Sequence, residues 1–271
     1  MNIKTVSIVG CGWFGLPLAR ELINQGFTVS GSKRTSGAAS ELNRDNIAGF
    51  TLDLDDDNID EQAITTHLHT DAIVINIPPE IRKSPGAYLQ RLTLLKRMMA
   101  NHPYKKLIFI STTGVYPASP NRVTEQDAQP HSPASEILLQ AENIFRDNSN
   151  SCVIRFAGLV GPSRNPGRFL AGKKDLAGAD SPVNIVHLDD CIGAVACVLV
   201  NEKTDAIYNL CAAGHPTRKD FYAKAAQLLS LIEPEFSQET QMAKEIDGGK
   251  ITRDLGFNYR HKDPMDMLTE C

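Results

Sequence analysis

Apolar and polar positions along this chain of 271 residues repeat with two different periods. Short β-branched and aliphatic runs such as Thr5-Val6-Ser7-Ile8-Val9, Ala72-Ile73-Val74-Ile75 and Leu107-Ile108-Phe109-Ile110 predict strands. Stretches whose apolar residues recur three or four apart, such as Leu18, Ala19, Leu22 and Ile23, predict helices. The pattern places strands over residues 5–9, 27–30, 49–53, 72–76, 106–111, 152–156 and 207–210. Helices are predicted between the first two strands and over 59–67, 88–101, 134–146 and 189–200. Strands that are apolar on both faces belong to a parallel sheet covered by helices, so the alternation predicts an α/β fold with a doubly wound parallel sheet. Two stretches break the rhythm: 162–182, rich in Gly, Pro and Lys/Arg, and the tail after Gly214. The expected organisation is a core of residues 1–161 and 184–213 with a small C-terminal lobe of 162–183 and 214–271.

Composition narrows the classes of function. Lys and Arg number 28 against 32 Asp and Glu, a formal charge of −4, which gives no general attraction to nucleic acid or to an anionic membrane. Six cysteines include no Cys-x-x-Cys pair and mostly sit in apolar runs, as expected of buried thiols in a reducing cytoplasm. Ile8-Val9-Gly10-Cys11 resembles a lipoprotein cleavage box, but the apolar run before it is far shorter than a signal sequence needs, so a cytoplasmic protein is expected.

Gly10-Cys11-Gly12-Trp13-Phe14-Gly15 fits Gly-x-Gly-x-x-Gly and stands where that pattern has a mechanism, after the first strand and at the start of the first helix. Gly10 would allow the tight turn, Gly12 the approach of a pyrophosphate, and Gly15 close helix–strand packing, with the phosphates at the helix N-terminus. The segment after the second strand, Ser30-Gly31-Ser32-Lys33-Arg34, has no acid to hold the ribose hydroxyls of NAD. Its basic side chains favour the 2′-phosphate of NADP, with NAD as the alternative, unless Lys33 and Arg34 form only a solvated loop. The expected cofactor residues are Gly10, Gly12, Trp13, Phe14, Gly15, Ser32, Lys33, Arg34, Asp53 and Pro78. Asp53 has two readings, a contact to the adenine amino group or the start of a surface turn.

Four later segments resemble one family. Ser111-Thr112-Thr113-Gly114-Val115-Tyr116-Pro117 resembles the active-site strand of the extended short-chain dehydrogenase/reductases, the nucleotide-sugar epimerases and dehydratases. Arg155-Phe156-Ala157-Gly158-Leu159-Val160-Gly161-Pro162, Asn184 to Asp190 and Ile207-Tyr208-Asn209-Leu210 resemble further stretches of that family in order. The likeness spans about residues 3 to 230 and implies a Rossmann-type NAD(P)-binding fold. In the family a hydroxyl, a Tyr and a Lys act together, the lysine lowering the pKa of the catalytic phenol. Counting back from Glu142 puts Ala134 at the Tyr place and Leu138 at the Lys place, and no Tyr-x-x-x-Lys occurs anywhere in the chain. The best match is therefore the atypical extended members that lack the standard pair.

What remains near the expected nicotinamide is Thr112, which matches the family's hydroxyl position, with Thr113 and Tyr116. Thr112 and Tyr116 are the candidates for polarising a substrate oxygen; Thr113, Arg155, Arg164 and Arg168 are the candidates for binding substrate. Each has a structural alternative: the threonines can satisfy backbone groups at a strand end, and Tyr116 can pack under its loop. Ser132 or Ser135 suits a helix N-cap. His187 with Asp189 and Asp190 is a weak ligand set, best read as structural, so no metal is expected. His67 and His69 are read as incidental. The expectation is an NADP-dependent oxidoreductase or epimerase-like enzyme on a small polar or nucleotide-linked substrate. The alternative is a non-catalytic NADP(H)-binding sensor or scaffold. The resemblance also implies a homodimer formed by the helices over 88–101 and 134–146.

Overall fold

The computed structural model describes residues 2–80, 85–100, 102–146 and 150–271. Seven strands form one sheet in the order Ile207–Leu210, Ser151–Phe156, Lys106–Thr112, Ala72–Ile75, Thr5–Val9, Thr28–Lys33, Ala48–Thr51. Numbered along the chain, this is 3-2-1-4-5-6-7, a Rossmann-type doubly wound parallel arrangement whose order reverses beside the first strand. The first strand pairs in parallel with the second, Ile8 opposite Gly31, and with the fourth, Val9 opposite Ile75.

All seven predicted strands and the five predicted helices are present, with predicted ends moved by at most three residues; the predicted end of one helix at 101 lies outside the described residues. One difference concerns the second strand, which runs on to Lys33 through the glycine that looked like its end. Gly31 lacks a side chain because other atoms fill its place: a Cβ there would lie 2.5 Å from the Cys11 Sγ and 3.0 Å from Ile47. A turn signal and a close-approach signal are the same residue in sequence. The helices Ser36–Glu41 and Arg218–Leu228 were not predicted. The first starts at a Thr35 cap, the second at Thr217, whose hydroxyl accepts from the Asp220 amide.

The chain divides into two compact units. Unit 1 comprises residues 1–111, 132–154 and 195–207. Its core gathers Val9, Ile73, Ile75, Leu92, Leu95, Phe109 and Phe145 around the sheet and its helices. Unit 2 comprises residues 112–131, 155–194 and 208–271. Its apolar core is Val160, Val183, Ile185, Phe221, Ala225, Met267 and Leu268. Two short parallel ladders also lie in unit 2, Gly158–Val160 with Ile185–His187 and Arg122–Val123 with Glu245–Ile246.

Candidate functional site

In unit 1 the chain leaves the first strand through Gly10 at φ +98°, a conformation that an L side chain rarely adopts. A Cβ on Gly10 would stand 2.2 Å from the Asn76 carbonyl oxygen, and one on Gly15 would stand 2.2 Å from the Gly10 carbonyl oxygen. The turn is tied to its neighbours: the Gly10 amide donates to the Ser32 hydroxyl at 2.9 Å, the Cys11 amide to the Ser32 carbonyl, and Asn76 Nδ2 to the Gly10 carbonyl. Gly12 differs, since nothing lies within 4 Å of where its Cβ would be, and it is exposed. The helix Gly15–Asn24 that follows has no side-chain cap hydrogen bond and no acid in its first turn. A rigid turn, open space over Gly12 and a helix N-terminus with no side-chain anion of its own fit the diphosphate of a dinucleotide.

The other expected cofactor residues are placed less uniformly. Ser32 is buried and braces the turn, Lys33 ends the second strand half-buried, and Arg34 is exposed just beyond it. Pro78 is exposed after the fourth strand, and Trp13 is half-buried. Phe14 is 3% exposed, so its ring belongs to the core and its backbone is what it can offer a ligand. Asp53 lies two residues past the end of the third strand at Thr51, and its Oδ1 accepts from the Asp55 amide at 3.1 Å. Its side chain thus does the work of a turn residue.

The candidates for chemistry lie in unit 2, and most are engaged with one another. Tyr116 is wholly buried; its hydroxyl donates to Asn209 Oδ1 at 2.5 Å and accepts from Arg155 Nη1 at 2.7 Å. Burial pushes its pKa up to about 12, against the lowering effect of Arg155. Arg155, 2% exposed, also donates to the Glu125 carbonyl at 3.0 Å, and its guanidinium lies 5.2 Å from the centre of the Tyr116 ring. Asn209 closes the network, its amide donating to Glu125 Oε1 at 2.8 Å and its Nδ2 to the Asp247 carbonyl. The expectation that Arg155 meets substrate and Tyr116 polarises it thus encounters a network that already holds both, because a buried guanidinium needs several acceptors.

Thr112 Oγ1 accepts from the Gly114 amide at 3.2 Å and caps a short turn, and Thr113 is buried behind it. Arg164 and Arg168 are exposed, the latter on the short helix Gly167–Leu170. In unit 1, Ser111 donates to the fully buried Glu142 at 2.6 Å, and Leu138, at the place of the family's lysine, is 7% exposed. Ser132 is the N-cap of helix Pro133–Ile144, as expected of one of these two serines, and Ser135 completes a reciprocal cap.

Sequence reasoning missed Glu125, which carries no motif, and His261. His187, Asp189 and His261 each bring one ligand-type atom within 4.8 Å of the others. Asp189 Oδ2 already pairs with Arg260 Nη1 at 2.9 Å, and His187 Nδ1 accepts from the Asp189 amide at 3.2 Å. Asp190, buried, accepts from the amides of Arg260 and His261. Asp189 and Asp190 thus tie residues 260 and 261 down, and the His187 ring lies 4.0 Å from that of His261. His67 stacks on Phe50 and His69 on His102, so these two histidines do not converge on one site.

A strand-turn-helix with this glycine geometry under a 3-2-1-4-5-6-7 sheet defines the class of Rossmann-type nucleotide-binding proteins. Residues 6–211 match the model of the NAD dependent epimerase/dehydratase family, and the chain belongs to that family. It is 37% identical over 276 aligned positions to Protein YeeZ of Escherichia coli strain K12, covering 99% of this chain and all of that protein. Among solved structures, it is similar to a UDP-glucose 4-epimerase from Thermotoga maritima with UDP-glucose, with a TM-score of 0.79 at 17% identity over 98% of each chain. It is also similar to a UDP-glucuronic acid 4-epimerase from Bacillus cereus in complex with UDP-glucuronic acid and NAD, with a TM-score of 0.78 at 16% identity over 98% of this chain and 97% of that one. No helix among the described residues is long and apolar enough to cross a membrane.

Proposed function

We propose that this protein is an NADP-dependent oxidoreductase or epimerase-like enzyme of the atypical extended type, acting in the cytoplasm on a small polar or nucleotide-linked substrate. The observation that carries the cofactor half is the glycine turn: Gly10 and Gly15 are forced by contact, while Gly12 faces open space that a diphosphate can enter. Gly10, Gly12, Trp13, Phe14 and Gly15 would hold the diphosphate through their backbone, with Ser32 fixing the turn. Lys33 and Arg34, with no acid in the segment from Ser30 to Arg34, would take the 2′-phosphate. Pro78 would border the nicotinamide end. When bound, the nicotinamide supplies a hydride acceptor or donor.

Residues 162–183 and 214–271 are proposed as the substrate-side lobe, with exposed Arg164 and Arg168 as its anion contacts. Thr112 and Thr113 would order substrate at the end of the active-site strand. Tyr116 and Arg155 are assigned a supporting role beneath that loop. Support for the substrate class comes from the two similar structures, which hold UDP-glucose and UDP-glucuronic acid. Two copies are proposed to pair through helices Pro85–Met98 and Pro133–Ile144. Elution as a monomer in size exclusion would refute that pairing.

The decisive experiment compares thermal shifts with NADPH, NADH and nucleotide-sugars. A ligand of the folded state raises stability by RT ln(1 + [L]/Kd). A shift larger with NADPH than NADH is expected, and the absence of any dinucleotide shift would overturn the proposal. A second reading, a non-catalytic NADP(H) sensor or scaffold, draws on the full engagement of the Tyr116 hydroxyl and on Leu138 at the lysine place. NADPH binding without consumption across a panel of nucleotide-sugar and carbonyl substrates would favour it.

A further inference from the structure

Lys244 stands at the end of a stretch that is fixed from two sides. Residues 245 and 246 ladder with 122 and 123, and Asn184 grips the same stretch. Asn184 Nδ2 donates to the Lys244 carbonyl and its Oδ1 accepts from the Ile246 amide, both at 2.8 Å. From this clamped backbone the Lys244 side chain reaches the loop after the active-site strand. Its Nζ donates to the Tyr116 carbonyl and lies 5.9 Å from the centre of the Tyr116 ring. Arg155 sits 5.2 Å from the centre of that same ring, so two cations flank Tyr116.

Lys244 is half-buried, and among the described residues no carboxylate forms an ion pair with it. Glu125 is buried and engaged by the Asn209 amide, Glu245 is exposed, and Asp247 faces Arg122 and Arg253. Burial accordingly lowers the Lys244 pKa. An ammonium carries three N–H donors, and the Tyr116 carbonyl takes one. Charge drawn out of water without a counter-ion is unfavourable, and an incoming oxyanion relieves that penalty.

We propose that Lys244 is the substrate-anion residue of unit 2, receiving a phosphate or carboxylate oxygen of the substrate beside the 112–116 loop. This inference rests on the reading of unit 2 as the substrate side and deepens it, since neither the glycine turn nor the family motifs point to Lys244.

The test follows the lysine ammonium signals of the full-length protein by NMR, with isotope-labelled lysine and saturating NADP. Lys244→Arg assigns the signal, and UDP-glucose, UDP-glucuronic acid and inorganic pyrophosphate are added in turn. The Lys244 signal is expected to move with at least one of them. Movement with UDP-glucose or pyrophosphate assigns a phosphate oxygen; movement with UDP-glucuronic acid alone assigns a carboxylate. Lys244→Gln, which retains a donor for the Tyr116 carbonyl, is expected to weaken that ligand about tenfold, and Lys244→Arg less. A Lys244 signal unmoved by all three probes, or unchanged affinity in Lys244→Gln, overturns the inference. The NADP thermal shift of the wild type is read in parallel, and its loss would count against the proposed function instead.

Discussion

Replacing Tyr116 with Phe removes one oxygen and leaves the ring, and the structure says what that oxygen does. Asn209 Oδ1 would lose its hydroxyl donor, and Asn209 is fully buried. Arg155 Nη1 would lose one acceptor but keep the Glu125 carbonyl at 3.0 Å. A buried acceptor left unsatisfied costs about 1–3 kcal/mol, and a weakened bond to a charged donor adds about 1 kcal/mol, so a loss of roughly 2–4 kcal/mol is expected. In a chain of this size each kcal/mol lowers Tm by about 2–4 °C, which gives a drop of roughly 5–15 °C. Cofactor binding should survive at temperatures where the variant is folded, because the glycine turn belongs to unit 1 and the network to unit 2. The assay is calorimetric Tm for wild type and Tyr116→Phe, with NADPH affinity measured well below the lower Tm. A variant as stable as wild type, with turnover abolished, would refute the structural assignment and return Tyr116 to the substrate.

The glycine turn makes a paired prediction. Gly10→Ala forces a Cβ against the Asn76 carbonyl at φ +98°, and should cost more than about 2 kcal/mol in urea unfolding. Gly12→Ala should leave that midpoint unchanged yet weaken NADPH about tenfold or more; equal affinity would remove Gly12 from the diphosphate site. Arg34→Asp should weaken NADPH far more than NADH in titration calorimetry, and equal effects would exclude Arg34 from the 2′-phosphate. Burial, with His261 beside it, lowers the His187 pKa from its ordinary 6.5. The unfolded chain therefore binds that proton more readily, so this contribution to stability is full above about pH 6.5 and fades as pH falls through the folded-state value. Tm should decline from pH 7 towards 5.5 and decline less in His187→Asn; identical slopes would show that His187 is not responsible.

The sequence by itself determined the parallel sheet's seven strands, the long helices between them, and the glycine turn. These are written in local periodicity and in residues whose backbone needs are absolute, such as Gly10. It also determined that no Tyr-x-x-x-Lys exists, since that is a matter of spacing. Where the second strand ends was decided by pairing: Gly31 is strand because it ladders with Ile8 and Gly49, and it is glycine because Cys11 Sγ occupies the space a side chain would need. Only the tertiary structure could join Tyr116 to Arg155, Asn209 and Glu125, or carry Lys244 across 128 positions to the Tyr116 carbonyl. Local pattern tells which side chains must leave water, but the partner that a buried charge finds there depends on how distant segments pack.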